Sequence, residues 1–152
     1  MNLIIDNIYI GNLESANIKN LKTHNIKLVL NCSRQQYQLP NEIEYRYIDI
    51  NDPPSNKCNR YIYDNYVSLV ELIKNSVIQG HGILVHCRSG MQRSATIVCI
   101  YLMMKYKYGL DEAIDFIKSK RQICFFGQVN YEEVLNKIYY DLNKMNIVTS
   151  LS

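Results

Sequence analysis

The sequence predicts an α/β fold in which helices flank a mixed, mainly parallel central sheet, with a short loop joining one central strand to a helix. Apolar runs of strand length alternate with amphipathic stretches of helical length, as in folds built from β–α units. The apolar residues 83–85 lead into a polar loop, and a second apolar run at residues 95–102 predicts a buried helix. With 152 residues, 47% of them hydrophobic, the chain can bury a sizeable core. We therefore assign residues 1–152 to a single domain.

The N-terminal elements follow from short apolar runs and a capping residue. Residues 8–12 predict a short strand that ends in a turn, and residues 27–31 are a compact apolar run typical of a buried strand. Between them, Ser15 can cap a helix that extends to about His24. The predicted order of these elements is therefore strand, helix, strand.

The later elements show the same alternation. Residues 44–50 alternate as in a strand, and the proline-containing residues 51–55 predict a loop. Helical periodicity covers residues 60–78 and 111–120, and a last helix begins near Asn130. The predicted order is therefore strands alternating with helices around a site at the end of a strand.

The most informative stretch is His86-Cys87-x5-Arg93-Ser94, which lies where the predicted central strand passes through a loop into a helix. A strand, a tight loop and a helix N-terminus in this order direct several backbone N–H groups toward one point, where the helix dipole adds positive charge. Gly90 permits a turn that a side chain would obstruct. The stretch therefore predicts an anion-binding loop with a cysteine at its base.

The residue types in this loop suit attack on phosphorus. A thiol reacts as the thiolate, and a helix N-terminus and a cationic neighbour such as Arg93 lower the pKa of Cys87. The planar fork of Arg93 can bind two phosphate oxygens, and Ser94 can donate a hydrogen bond to the sulfur. His86 is expected to support the thiolate through hydrogen bonds. The loop residues expected to bind substrate, mainly through backbone amides, are Arg88, Ser89, Gly90, Met91, Gln92 and Arg93.

This motif, with Leu84-Val85 before it and residues 95–98 after it, resembles the phosphate loop of the dual-specificity protein phosphatases. The resemblance implies that Cys87 is the nucleophile, that Arg93 clamps the phosphate, and that Ser94 assists departure of the thiolate. It further implies hydrolysis of phosphotyrosine and phosphoserine or phosphothreonine in proteins through a cysteinyl-phosphate, without metal or cofactor. Many family members carry an Arg-x-x-x-Pro-Asn segment near residues 121–127, but this chain lacks the Pro-Asn pair, so we assign no role there.

The resemblance also implies a general acid on a loop some tens of residues before the cysteine. Asp52 fits, because it follows the predicted strand at residues 44–50 and precedes Cys87 by 35 positions. The rival Asp49 is expected inside that strand, where it would have little freedom to move. Asn31, at the end of another strand, could either brace the phosphate loop or simply open a turn.

Other functions remain open on the same loop. RNA 5′-triphosphatases and phosphoinositide phosphatases use similar loops, although the lipid-directed enzymes carry lysines that residues 88–92 lack. A non-catalytic phosphoprotein-binding module is the alternative from another class, but such modules usually lose the cysteine or the acid. The net charge of +3 is far below that of a dedicated nucleic-acid binder.

Five cysteines without paired spacing argue against a disulfide scaffold and a zinc site, and favour a reducing compartment. The longest apolar stretch, residues 95–104, is half a membrane span, and we find no signal peptide or lipidation motif. We therefore expect no membrane partner and a cytoplasmic protein, with the nucleus or a virus-associated setting as alternatives. The sequence does not decide whether the chain forms homo-oligomers.

Overall fold

A computed structural model describes the backbone of residues 1–151 and the side chains of residues 1–145. Its central sheet has five strands in the order β1-β2-β5-β3-β4. The strand bounds are Asn2–Ile5 (β1), Ile8–Gly11 (β2), Ile26–Asn31 (β3), Glu44–Tyr47 (β4) and Gly82–His86 (β5). β1 pairs with β2 in antiparallel fashion, whereas the other neighbouring pairs are parallel. The expected mixed, mainly parallel sheet is confirmed.

The described residues also form five α-helices and one short 3-10 turn. The helix bounds are Ile18–Thr23 (α1), Asn56–Ile78 (α2), Arg93–Tyr106 (α3), Leu110–Lys120 (α4) and Glu132–Leu151 (α5), and the 3-10 turn covers Leu13–Ser15. Residues 93–103 at the start of α3 are all buried. A helix that is apolar on every side belongs in the core, as the sequence predicted.

Helices cover both faces of the sheet, because strand side chains alternate between two hydrophobic clusters. In the central strand, Ile83 and Val85 point into the larger cluster, which α2, α3, α4 and α5 complete, whereas Leu84 points into the smaller one. The smaller cluster includes Leu21 of α1. β5 therefore lies in the middle of the molecule, and its carboxyl end is held from both sides.

Several predicted boundaries are corrected by the structure. Ser15 does not cap a helix to His24; it lies in the 3-10 turn, and Asn17 caps α1 by accepting a hydrogen bond from the N–H of Asn20 (2.9 Å). The fourth strand ends at Tyr47, not at residue 50, and the side chains of Ile48 and Ile50 just beyond it are buried in the core.

The helices also begin at different residues from those predicted. α2 begins four residues before the predicted Arg60, since Ser55 caps it by accepting a hydrogen bond from Cys58 N–H (3.2 Å). α5 begins at Glu132, slightly after the predicted Asn130. β1 was not predicted. Its four residues include only one that is buried, too few for a visible alternating pattern.

Candidate active site

The site lies at the carboxyl end of β5, where residues 87–92 form a loop that leads directly into α3. β5 is held between β2 and β3, and the N–H of Cys32 donates to the carbonyl of His86 (2.8 Å). The carboxyl edge of a parallel sheet, facing a helix N-terminus, is the usual place for an anionic ligand. The loop therefore follows directly from the central strand of the sheet, which the neighbouring strands hold in place.

Cys87 is almost fully buried at the base of this loop, with 2% of its surface exposed. Its Sγ receives a hydrogen bond from Gly90 N–H (3.2 Å) and lies 3.3 Å from Ser94 Oγ. Burial alone would raise the pKa of Cys87, but hydrogen bonds from Ser94 and Met91 and the charge of Arg93 outweigh it and lower the pKa. The sulfur is thus stabilised as a thiolate.

Arg93 is the first residue of α3 and is 7% exposed. Its Nη1 donates to the carbonyl of Ile50 at 3.5 Å, a long contact that links it to the chain preceding Asp52. Within the described part of the chain, the buried Nε of Arg93 has no hydrogen-bond partner. A buried guanidinium N–H without an acceptor is costly, so this group is prepared to receive an anionic oxygen.

Arg121 holds the loop from outside, a role that the sequence did not reveal. Its Nε donates to the carbonyl of Gly90 (2.9 Å) and its Nη2 to the carbonyl of Ser89 (3.1 Å). Its Nη1 donates to Asn2 Oδ1 (2.7 Å), so the guanidinium is fixed on both sides. Arg121 was noticed only as part of an incomplete family segment, because its partners are backbone atoms that no motif records.

Two further backbone hydrogen bonds hold the phosphate loop from its outer side. Leu13 N–H donates to the carbonyl of Arg88 (3.2 Å), and Phe125 N–H donates to the carbonyl of Met91 (2.9 Å). In a planar trans peptide the N–H points opposite to the preceding carbonyl. Because four consecutive carbonyls are bonded from outside, the N–H groups of residues 89–92 point inward, and that of Gly90 donates to the sulfur itself.

The loop side chains have different environments. The sequence predicts that the side chains of Arg88 and Gln92 shape the rim of the loop; Arg88 is exposed, as is Ser89, and Met91 is half-buried. Gln92 is 8% exposed and does not lie at the rim; its Nε2 donates to the carbonyl of Gln128 (2.8 Å), and its Oε1 accepts from Asn130 N–H (3.0 Å). This part of the prediction is corrected: the side chain of Gln92 is an internal brace.

His86 is buried beside the nucleophile and touches it only through the backbone. Its Nδ1 lies 3.3 Å from the carbonyl of Cys87, and its Nε2 lies 2.5 Å from the hydroxyl of Tyr37, whose ring stacks on the imidazole. Burial lowers the pKa of His86 to about 4. The imidazole is therefore neutral at physiological pH, and its Nδ1 contacts the backbone of Cys87.

Asp52 lies on the loop between β4 and α2, and its side chain is exposed. Asn130 Nδ2 donates to Asp52 Oδ1 (3.3 Å), and the hydroxyl of the buried Tyr131 donates to the carbonyl of Asn51. Burial, with a smaller contribution from the charge of Asp52, raises the pKa of Tyr131. The carboxylate is thus held near α5 by residues that the sequence did not single out.

The rival acid and Asn31 have other partners. Asp49 is not inside a strand, since β4 ends at Tyr47; it is exposed and pairs with Arg34 Nε (3.2 Å). The side chain of Asn31 bonds to Ser33, Gln35 and Tyr45. It therefore organises the turn after β3, the second of the two roles considered for it, and its side-chain bonds do not run to the phosphate loop.

Neither a metal cluster nor a membrane span is found in what the structure describes. Among the described side chains, no group of three or more His, Cys, Asp or Glu residues could hold a metal ion. No helix within the described residues is both long and apolar enough to cross a bilayer.

Comparison with known sequences identifies relatives over most of the chain. The profile of the dual specificity phosphatase catalytic domain matches residues 8–139. The 123R protein of Invertebrate iridescent virus 6, which carries a tyrosine phosphatase name, is 33% identical over 124 residues, or 80% of each chain. Dual specificity protein phosphatase 9 of Homo sapiens is 34% identical over 138 residues, which cover 83% of this chain but only 34% of that protein. Dual specificity protein phosphatase 1 of Arabidopsis thaliana is 33% identical over 80% of this chain and 61% of its own length.

Solved structures share the fold at low sequence identity. Human DUSP28 superposes with a TM-score of 0.83 at 20% identity, covering 95% of this chain and 99% of that one. The human tyrosine phosphatase-like serine/threonine/tyrosine-interacting protein superposes with a TM-score of 0.80 at 21% identity, covering 95% of this chain and 97% of that one. The extent of the profile match and of the viral relative shows that the chain belongs to the dual specificity phosphatase family.

Proposed function

We propose that this chain is a protein phosphatase that hydrolyses phosphotyrosine and phosphoserine or phosphothreonine through a cysteinyl-phosphate intermediate. The observation that carries the proposal is the buried Cys87 thiol of lowered pKa, surrounded by backbone N–H groups and by Arg93. Family membership supports the phosphatase activity. The dual specificity and the intermediate are our inference from the site.

In the first step, the Cys87 thiolate attacks phosphorus as the bond from phosphorus to the leaving oxygen breaks. The N–H groups of residues 89–92 and the unpartnered Nε of Arg93 bind the phosphoryl oxygens, where negative charge is concentrated. Asp52 gives its proton to the leaving oxygen, because an alkoxide or phenoxide leaves poorly. The product is an alcohol or phenol, and the phosphoryl group is bonded to sulfur.

In the second step, water hydrolyses the cysteinyl-phosphate. Asp52, now ionised, accepts a proton from the attacking water, and the S–P bond breaks to release inorganic phosphate. Ser94, whose Oγ lies 3.3 Å from Cys87 Sγ, donates a hydrogen bond to the departing thiolate. Arginine and backbone amides supply the electrostatic stabilisation, so we propose that the reaction needs no metal and survives treatment with a chelator.

The test combines a trapping variant with a choice of substrates. Cys87→Ser should bind phosphopeptide without turnover, and phosphoproteins retained by this variant can be identified by mass spectrometry. Wild-type protein should hydrolyse phosphotyrosyl and phosphoseryl peptides faster than a phosphoinositide or a triphosphate-ended RNA. Turnover by Cys87→Ser would refute the nucleophile, and a preference for lipid or RNA would refute the substrate class.

The five cysteines also bear on where the protein acts. None of them is in a disulfide, and all five are buried. Free thiols, one of them of lowered pKa, suit a reducing compartment, so we propose that the protein works in the cytoplasm.

A further inference from the structure

A series of side-chain amides connects the phosphate loop to Asp52, outside the residues that the motif defines. It begins at Gln92, the residue before α3, which is 8% exposed. Gln92 Nε2 donates to the carbonyl of Gln128 (2.8 Å), and Gln92 Oε1 accepts from Asn130 N–H (3.0 Å). One buried side chain thus fixes the backbone on both sides of residue 129.

The next contact determines which way the side chain of Asn130 faces. Gln128 Nε2 donates to Asn130 Oδ1 (2.9 Å), which leaves the amino group of Asn130 on the opposite side. That amino group donates to Asp52 Oδ1 (3.3 Å). The Gln128 side chain therefore directs the donor of Asn130 toward the carboxylate.

The backbone of the acid-bearing loop is held separately. Arg93 donates to the carbonyl of Ile50, and the hydroxyl of Tyr131 donates to the carbonyl of Asn51. These bonds fix the path of the chain up to Asp52 but not the rotamer of its exposed side chain. The hydrogen bond from Asn130 acts on the carboxylate itself.

A donor on one carboxylate oxygen also decides where the proton can reside. With Oδ1 of Asp52 accepting from Asn130, the acidic proton is favoured on Oδ2, because the lone pair that faces Asn130 is already engaged. An uncharged amide provides this orientation without a fixed charge beside the acid. General acid catalysis needs both a defined proton position and a defined distance to the leaving oxygen.

We propose that Asn130 is a positioning residue that holds Oδ1 of Asp52, so that Oδ2 carries the proton to the leaving oxygen. This inference rests on the proposed function, in which Asp52 is the general acid. Gln92 and Gln128 complete the arrangement by fixing the backbone and the amide orientation of Asn130. The phosphate loop and the acid are thereby held in one hydrogen-bonded unit.

The test is a double-mutant cycle read with two aryl phosphates, one with a weakly acidic phenol as leaving group and one with a strongly acidic phenol. Asn130→Ala should lower kcat/KM for the first substrate about tenfold and for the second less than about twofold, since only a poor leaving group needs the proton. In an Asp52→Asn background, Asn130→Ala should cause less than about twofold further loss on either substrate.

Asn130→Asp controls for loss of folding. It keeps the shape of the side chain and replaces only the amide donor with a carboxylate. It should slow the poor leaving group at least as much as Asn130→Ala, since a carboxylate has no N–H donor to hold Oδ1 of Asp52. Asn136→Ala, which removes an exposed amide from α5, is the matched control and should leave both rates unchanged.

The outcomes separate this inference from the proposed function. Equal losses on both substrates, or the same loss in the Asp52→Asn background, would overturn the role of Asn130 while leaving Asp52 as the acid. If Asp52→Asn itself slowed both substrates equally, the acid assignment would fail and the role of Asn130 with it. Turnover by Cys87→Ser would instead overturn the proposed chemistry.

Discussion

The ionisation of Cys87 results from opposed effects acting on one atom. Burial favours the neutral thiol, whereas the Ser94 hydroxyl, nearby backbone N–H groups and the Arg93 guanidinium favour the thiolate and prevail. The neighbouring buried thiols lack this set of donors. Burial raises the pKa of Cys99 and of Cys124 to about 12 in each case. The local donors, and not cysteine content, thus decide which sulfur can react.

We expect alkylation of Cys87 by iodoacetamide, followed by peptide mass spectrometry, to reach half its maximal rate below about pH 8.5, the value for a free cysteine. Ser94→Ala should move this midpoint to higher pH, because it removes a hydrogen bond to the thiolate. Ser119→Ala, which removes an exposed hydroxyl from α4, should not move it. An unchanged midpoint in Ser94→Ala would show that Ser94 does not stabilise the sulfur.

Sequence reasoning found the residues that are adjacent in the chain. Cys87, Arg93 and Ser94 fall within one motif, and the short loop that leads into α3 brings them together. It did not find Arg121 or Asn130, because each meets the site through tertiary contacts with backbone or carboxylate atoms. Such contacts leave no pattern in a single sequence.

At the scale of elements, the phosphate loop keeps its shape because other segments approach it closely. Gly90 has φ +71°, and an added Cβ there would lie 2.6 Å from the carbonyl oxygen of Gly11 and 2.7 Å from Arg121 Nη2. Two features therefore favour glycine at position 90: the positive φ and the lack of space for a Cβ.

Gly90→Ala should lower the free energy of unfolding by roughly 1–3 kcal/mol and reduce kcat/KM strongly, because the loop must move away from β2 and Arg121. Urea unfolding and phosphopeptide hydrolysis measure the two effects. Gly80→Ala is the matched control: Gly80 has φ +75° but nothing within 4 Å of the added Cβ, so it carries the backbone strain alone. Equal effects of the two variants, with activity retained, would contradict the close packing of the loop.

The elements themselves were largely predictable because their apolar patterns are strong. β3 and β5 are buried runs, and α3 is apolar on every side. The errors occurred where local hydrogen bonds decide a boundary, as when Asn17 caps α1 in place of Ser15. Capping residues of similar chemistry compete, and tertiary packing selects between them.

At the scale of the whole molecule, His86 couples acidity to stability. Its pKa is about 4 in the folded state, against about 6.5 in an unfolded chain, so the unfolded chain binds the proton first as the pH falls. The free energy of unfolding should therefore be unaffected by His86 above about pH 6.5. It should decrease between about pH 6.5 and 4, by up to roughly 3 kcal/mol.

Urea unfolding of the wild type and of two histidine variants, measured across this pH range, tests the expectation. His86→Gln should flatten the dependence, whereas His81→Gln, at a half-exposed position after α2, should leave it in place. A dependence as steep in His86→Gln as in the wild type would mean that other groups cause the acid sensitivity.

The contact between Arg121 and Asn2 gives an edge strand an importance that its position would not suggest. A sheet margin with exposed side chains ordinarily tolerates exchange of almost any residue. Here the side-chain amide of Asn2 accepts a hydrogen bond from Arg121. It thereby orients the guanidinium that donates to the carbonyl of Gly90 in the phosphate loop. In a saturation library selected for catalysis, position 2 should therefore be more constrained than position 3, which is also exposed.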